Sequence, residues 1–102
     1  MLREDENIGP LTGVRVLDLT INVLGPVATQ ILGDLGAEVI KVETPSGDPM
    51  RLIGSSKTGM LGPFFQTTNR NKKSVVLDLK KIEEKNALLK IAGGCDVFVH
   101  NM

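Results

Sequence analysis

The chain has 102 residues, of which 41% are hydrophobic and 24% are charged, a composition typical of one globular domain. Its 12 basic and 12 acidic residues cancel and only 3% of residues are aromatic, which argues against a nucleic-acid or membrane-surface partner. No run reaches ~18 consecutive apolar residues, and the single cysteine cannot form a disulfide within the chain. We therefore expect a cytoplasmic protein with no membrane segment.

A β-α-β unit is predicted between residues 13 and 43. It opens with the strand-like run VRVLDL, whose apolar residues suit a buried parallel strand. A helix is predicted to follow, because Val27, Ile31 and Leu35 recur at helical spacing, Pro26 suits the first turn and Gly36 suits a left-handed cap. A second strand is predicted over residues 38–43. A right-handed crossover would make the two strands parallel.

The rest of the chain predicts a continuation of the same α/β pattern. Residues 1–10 are polar and acidic and are expected to form a flexible arm before a partial Rossmann-like domain at residues 11–102. Residues 44–63 are rich in glycine and proline and predict a long functional loop. Residues 64–69 are compatible with a short helix or an extended piece, and residues 69–73 predict a basic turn. Two further strands and one helix are then expected, at residues 74–79, 96–100 and 82–92 respectively.

Ligands of open parallel sheets bind just beyond the carboxyl ends of the strands. In this chain the predicted strand ends are residues 20–23, 43–44, 78–80 and 100–102. The glycines after the first strand are too widely spaced for the G-x-G-x-x-G fingerprint, so a dinucleotide site of that type is not supported. The chain stops where a site would begin, and we expect it to be a piece of something longer.

Five sequence runs occur in order between residues 9 and 102: GPLTGVRVLDLT, LGPVATQILGDLGAEVIKVE, SGDPMR, NRNKKSVVLDLK and CDVFVHNM. Together they resemble the N-terminal part of family III CoA-transferases, which include formyl-CoA transferase, the carnitine and bile-acid CoA-transferases and α-methylacyl-CoA racemase. The resemblance implies a Rossmann-like parallel sheet of about four strands with flanking helices. It also implies that this segment belongs to a larger fold in which two chains form an interlocked dimer.

The resemblance implies a reaction that moves CoA between an acyl-CoA and a free carboxylic acid through an aspartyl-CoA intermediate. In the family the nucleophilic aspartate lies downstream of the matched segment, so no catalytic residue is assigned here and the chain alone is expected to be inactive. The resemblance implies coenzyme A as a substrate and implies no metal. Two alternatives remain open: a segment of an acyl-CoA racemase, and a stand-alone α/β module that self-associates or binds a nucleotide without catalysis.

The resemblance also implies part of a CoA site. The expected contacts cover the thiol end, the adenine, the phosphates and the pantetheine arm. In chain order, the candidate residues are Asn22, Val23, Thr44, Arg51, Lys72, Leu77, Asp78, Lys80, Asn101 and Met102. Two departures from the family pattern stand out. Thr44 replaces an arginine that packs on the adenine in many relatives, and Lys81 replaces an aspartate that starts the following helix, so a frayed helix start is expected.

Each candidate also has a simpler interpretation. Asn22 and Val23 could form only a strand-to-helix connection, and the lysines could form only a solvated face. His100, near a strand end, more often has a structural role than a general-base role. Cys95 fits a small residue at a helix-to-strand junction better than a catalytic thiol, since no basic partner is identifiable beside it.

Overall fold

The computed structural model describes residues 8–54 and 62–102. In this part of the chain the elements are β1 (Arg15–Asp18), α1 (Leu24–Asp34), β2 (Glu38–Glu43), a 3₁₀ helix (Pro49–Leu52), α2 (Pro63–Thr68), β3 (Lys72–Val76), α3 (Ile82–Gly93) and β4 (Val97–Val99). The four strands are parallel and lie in the order β3-β2-β1-β4. The expected α/β fold with a four-stranded parallel sheet is confirmed. No helix in these residues is long and apolar enough to cross a membrane.

The β-α-β unit forms as its residues predict. Pro26 lies in the first turn of α1, where a missing N–H costs no intrahelical hydrogen bond. Gly36 follows the helix with φ of +107°, and a Cβ there would approach the backbone nitrogen of Gly9 to 2.7 Å. The tight turn after α1 therefore requires glycine for both conformation and space.

The two faces of the sheet differ in chemistry. One face, called here the apolar face, packs Leu17, Leu19, Val42 and Leu77 against Leu88 of α3. The other face, called here the ionic face, combines the smaller apolar cluster of Val16, Ala37 and Val39 with buried charged side chains. These charged residues are Asp18, Lys41, Glu43 and Lys72. Helix α1 lies on the ionic face, where Thr29 donates a hydrogen bond to Asp18.

Three sequence-based expectations need adjustment. Strand β3 spans Lys72–Val76 rather than 74–79. It starts earlier, with Lys72 in a buried ion pair, and its pairing with β2 ends at Glu43, although the Leu77 N–H still donates to the Glu43 carbonyl. The segment expected as a short helix or an extended piece is helical, at Pro63–Thr68. The long loop contains a 3₁₀ helix, since the Asp48 side chain accepts a hydrogen bond from the Met50 N–H at its start.

Two of the expected regions fall partly outside the described residues. Residues 1–7 of the expected flexible arm and residues 55–61 of the expected long loop lie outside the described part. Within the described part, Gly9 and Thr12 exchange hydrogen bonds in a turn that precedes β1. The chain therefore enters β1 through a hydrogen-bonded turn.

Candidate functional site

The candidate site lies at the carboxyl edge of the sheet. Because the four strands are parallel, the segments that follow them all emerge at this edge, as expected from the sequence. A cavity of about 290 Å³ lies here, near the lower end of the size range for small-molecule pockets. Its lining is formed by Leu19, Ile21, Val42, Glu43, Thr44, Ser46, Gly47, Asp48, Pro49, Leu77, Leu79 and Met102. The lining is mostly apolar, and its hydroxyl groups are those of Thr44 and Ser46, whose oxygens are 3.0 Å apart.

The turn between β1 and α1 is held from two sides. Asn22 has φ of +71°, a left-handed conformation that asparagine tolerates better than most residues. Its backbone N–H donates to Asp48 Oδ1 at 3.2 Å. On the other side, Asn101 Oδ1 accepts from the Ile21 N–H at 3.1 Å, and Asn101 Nδ2 donates to the Ile21 carbonyl at 2.8 Å.

A buried ion pair supports the same turn from below. Lys41 Nζ lies 2.8 Å from Asp48 Oδ2 and donates to the Thr20 carbonyl at 3.0 Å. The Lys41 side chain is 2% exposed and the Asp48 side chain is fully buried. A buried pair of this kind depends on both partners, because removing one leaves an uncompensated charge.

A second buried pair links β1 to β3. Asp18 accepts hydrogen bonds from the Thr20 N–H, the Thr20 hydroxyl and the Thr29 hydroxyl, and its Oδ2 lies 3.0 Å from Lys72 Nζ. Burial raises the pKa of Asp18, but these hydrogen bonds and the Lys72 ammonium outweigh it, so the pKa lies below its ordinary value of 3.8. Burial lowers the pKa of Lys72, and the attraction of Asp18 opposes that change.

Arg51 is anchored on the ionic face. Its guanidinium forms a two-pronged ion pair with Glu43, with Nε–Oε1 at 3.0 Å and NH2–Oε2 at 2.8 Å. The guanidinium carbon also lies 3.8 Å from the centre of the Phe65 ring, a cation–π contact. The Arg51 side chain is only 14% exposed, so this geometry commits it to joining the 3₁₀ helix to α2 and β2.

The expected phosphate-binding lysines have different surroundings. Lys72 begins β3, and its buried ammonium also donates to the Pro26 carbonyl and to Asn69 Oδ1, which leaves little capacity for a phosphate. Its neighbour Lys73 points to the amino edge and pairs with Glu38 at 3.1 Å. Lys80 is exposed in the turn after β3, and among the described residues no hydrogen bond or ion pair of its ammonium is found.

The remaining expected contacts lie at the carboxyl edge. Thr44, Leu77 and Met102 line the cavity, and Val23 is half exposed at the start of α1. The carboxylate of Asp78 accepts from the Lys80 N–H at 3.1 Å, so it shapes the turn that presents Lys80. The amide of Asn101 is occupied by Ile21, as described above. Of the ten expected residues, Thr44, Leu77 and Met102 line the cavity. Five others lie in the segments that follow the strands at this edge: Asn22, Val23, Asp78, Lys80 and Asn101. The last two, Arg51 and Lys72, are held in buried ion pairs.

Neither of two reactive side chains, Cys95 and His100, is among the residues that line the cavity. Burial raises the pKa of the Cys95 thiol, which donates to the Ile91 carbonyl at 3.3 Å and is poorly suited to act as a thiolate nucleophile. The His100 ring lies 5.8 Å from the Phe98 ring, and its Nδ1 accepts from the Met102 N–H at 3.3 Å. Both contacts agree with the structural interpretation of these residues.

Sequence reasoning missed the residues that hold the edge together, namely Lys41, Glu43 and Asp48. Lys41 and Glu43 alternate with apolar residues in a short strand, a pattern that predicts solvent exposure for the charged positions. One signal was available for Asp48, because Ser-Gly-Asp-Pro is a turn sequence in which aspartate commonly binds backbone N–H groups.

A larger hollow of about 670 Å³ lies at the opposite, amino edge of the sheet. It is bordered by Arg15 and Lys73, which both pair with the partly exposed carboxylate of Glu38. Parallel sheets bind ligands at the carboxyl ends of their strands, so the smaller cavity is the better candidate site.

A doubly wound parallel sheet with a pocket at its carboxyl edge defines a class of α/β proteins that bind nucleotide-like ligands. The family model of CoA-transferase family III matches residues 11–102. The chain therefore belongs to CoA-transferase family III, as the sequence resemblance implied.

The individual relatives of this chain are longer proteins. It is 48% identical over 96 residues to human succinyl-CoA:glutarate CoA-transferase, covering 93% of this chain and 22% of that protein. It is 51% identical over 90 residues to a probable fatty acyl-CoA transferase of Mycobacterium tuberculosis, covering 86% of this chain and 23% of that protein. The chain thus spans under a quarter of the length of these relatives.

A solved structure agrees with the fold. The crystal structure of a CAIB/BAIF family protein from Brucella suis superposes with a TM-score of 0.86 at 35% identity. The superposition covers 92% of this chain and 26% of that one.

Proposed function

We propose that this chain forms a CoA-binding segment of an enzyme that moves CoA between an acyl-CoA and a free carboxylic acid. One observation carries the proposal: in a family III chain, three of the residues expected to contact CoA, namely Thr44, Leu77 and Met102, line one cavity at the carboxyl edge of the sheet. The relatives described above are named as CoA-transferases, which favours transfer over racemisation.

The cavity suits one portion of CoA rather than the whole molecule. Its apolar lining by Leu19, Val42 and Leu77 offers contact to a flat or aliphatic group. Lys80, exposed in the neighbouring turn, supplies a flexible positive charge for a phosphate. We therefore assign the nucleotide end of CoA to Thr44, Leu77 and Lys80, and the thiol end to the turn after β1.

The nucleophile of the proposed reaction comes from outside this chain. In the expected mechanism a carboxylate attacks the acyl-CoA carbonyl, thiolate CoA leaves, and the resulting anhydride is attacked by CoA to give an enzyme thioester and the free acid. Asp18, Glu43 and Asp48 do not suit the first step, because each is buried and bound to a lysine or an arginine. We expect no turnover by the 102-residue chain alone.

The binding proposal is tested by calorimetric titration of the chain with CoA. The variant Lys80→Ala should weaken binding by up to about 3 kcal/mol, the largest loss expected for a charge-assisted contact. Lys90→Ala is the matched control, since it removes the same charge from the far end of α3. Absence of binding by the unsubstituted chain, or equal weakening by both variants, would contradict the site.

We also propose that the protein works as a homo-oligomer, in keeping with the expected dimer. Large apolar side chains are exposed on three elements: Leu24 of α1 at 86%, Leu89 of α3 at 60% and Phe98 of β4 at 51%. Exposed apolar surface of this extent favours burial in an interface. Sedimentation analysis over a range of protein concentrations should reveal association, and a monomer at every concentration would count against it.

A further inference from the structure

The conformation of Asn22 has to be maintained by its surroundings. A φ of +71° is less favourable than a right-handed conformation even for asparagine, which tolerates it better than most residues, and Asn22 is exposed, so packing does not impose it. The turn that contains Asn22 connects β1 to α1 at the carboxyl edge, beside the candidate cavity that Ile21 lines. Whatever fixes this residue also fixes one wall of the site.

Asp48 is the buried group that meets this requirement. Its Oδ1 accepts from the N–H groups of Asn22, at 3.2 Å, and Met50, at 3.0 Å. Its Oδ2 accepts from Lys41 Nζ at 2.8 Å, which balances the carboxylate charge inside the protein. Asp48 also lines the cavity, so one side chain connects the loop after β2 with the turn after β1.

We infer that Asp48 is a positioning residue of the CoA site, holding Asn22 in its left-handed conformation so that the turn after β1 is ready for the ligand. The inference rests on the proposed function and deepens it. It also reassigns Asn22: its contribution is the backbone conformation, rather than a contact made by its side-chain amide. Binding then weakens in proportion to the fraction of molecules in which the turn has left this conformation.

The competing explanation is that Asp48 only neutralises Lys41. Two double variants separate the explanations, because both remove the buried charges. Lys41→Met with Asp48→Asn keeps a side-chain oxygen that can accept from Asn22, whereas Lys41→Met with Asp48→Ala keeps none. Amide hydrogen exchange of Asn22 should be about fivefold to tenfold faster in the alanine double variant than in the asparagine one. The affinity for CoA should fall in the same order.

Substitutions of Asn22 itself test the reassignment with little risk to folding, since the side chain is exposed. Asn22→Gly keeps the N–H and the left-handed conformation, and its affinity for CoA should stay within about twofold of the unsubstituted chain. Asn22→Ala keeps the N–H but disfavours the conformation, and should lose about fivefold. Equal losses in both variants would overturn the inference in favour of a side-chain contact.

Leu88→Val serves as the stability control, because it weakens the packing on the apolar face without touching the turn. It should leave Asn22 exchange, measured relative to global unfolding, unchanged. Equal Asn22 exchange in the two double variants would show that Asp48 acts only as a counterion. If the unsubstituted chain binds no CoA, the proposed function fails, while the exchange comparison still decides whether Asp48 holds the turn.

Discussion

The two faces of the sheet contribute differently to the stability of the fold and to the shape of the candidate site. The apolar face joins Leu17, Val42 and Leu88 in one cluster and needs only size and shape to do so. The ionic face buries four charged side chains among the strands, which costs desolvation energy and brings little net stability. What the ionic face gains is direction: its carboxylates accept from particular backbone N–H groups beyond the strand ends.

Three contacts illustrate the point, two from carboxylates of the ionic face and one from Asp48, the buried partner of Lys41 on that face. Asp18 binds the Thr20 N–H, Asp48 binds the Asn22 N–H, and Glu43 binds the N–H of Asp48 at 3.2 Å. All three N–H groups lie in the segments that surround the candidate site. An apolar side chain could fill the same volume but could not hold a loop by its backbone. The charged face therefore shapes the site, and the apolar face stabilises the fold.

The largest expected effect comes from breaking the ionic face at Lys72. Lys72→Met leaves the Asp18 carboxylate buried without its counterion and should lower the free energy of unfolding by about 3–5 kcal/mol. Lys73→Met is the matched control, because the adjacent lysine is 70% exposed and should cost under about 1 kcal/mol. Urea denaturation of both variants measures the difference.

A second substitution, which removes the unpaired charge of Asp18, tests whether charge causes the loss of stability. Adding Asp18→Asn to Lys72→Met should recover much of the lost stability, because a neutral hydrogen-bonding group replaces the unpaired charge. A double variant no more stable than Lys72→Met alone would mean that the loss came from packing rather than from charge.

A smaller effect is expected from acid. The pKa of Asp18 is lower in the folded protein than its ordinary value of 3.8, so the unfolded chain binds its proton first as the pH falls. The stability from Asp18 is complete above about pH 4 and is lost as the pH falls through the lowered value. Urea midpoints between pH 7 and pH 3 should therefore decline at the acid end, and less so in the Lys72→Met, Asp18→Asn variant.

Salt distinguishes this acid effect from that of the surface pairs. The pKa values of Asp34 and Glu38 are also lowered, mainly by hydrogen bonds from Arg70 and Lys73, but these carboxylates lie near the solvent. Added salt should weaken their contribution and leave that of the buried Asp18 largely intact. A decline abolished by high salt would point to the surface pairs instead.

The smallest expected effect concerns the apolar face. Helix α3 begins after Lys81, whose side chain makes no capping hydrogen bond. Lys81→Asp should supply an acceptor for the free N–H groups and raise the free energy of unfolding by about 0.5–1 kcal/mol. Lys81→Ala controls for the loss of charge. Because α3 packs on the apolar face, hydrogen exchange of the Asn22 N–H relative to global unfolding should not change, and a change would show that the division between the faces is incomplete.

The sequence predicted the order of the elements because apolar periodicity, Pro26 and the glycine caps are local signals. The start of β3 was misplaced for a physical reason: a lysine inside a sheet is expensive unless a partner is already buried, and the partner Asp18 lies 54 positions earlier in the chain. Local patterns carry no information about such a pair.

The candidate site shows the same limit. Parallel strands with recognisable ends were enough to predict the edge where Thr44, Leu77 and Met102 meet. The contacts that fix the turn after β1 were not predictable, because Asp48 and Asn101 approach it from 26 and 80 residues away along the chain. The resemblance supplied the positions of Asn22 and Asn101, whose hydrogen bonds lie within the turn region: the Asn22 N–H donates to Asp48, and the Asn101 side-chain amide binds the backbone of Ile21.

Cys95 is a suitable site for attaching a fluorescent label. It precedes β4 and therefore lies at the amino edge, across the sheet from the cavity, and the chain contains no second cysteine. A thiol-reactive fluorophore would consequently report from a place where ligand should not collide with it. Since burial raises the pKa of this thiol, conjugation should be slow at neutral pH and accelerate in mildly alkaline buffer. The 102-residue chain thus already permits single-site labelling for binding studies.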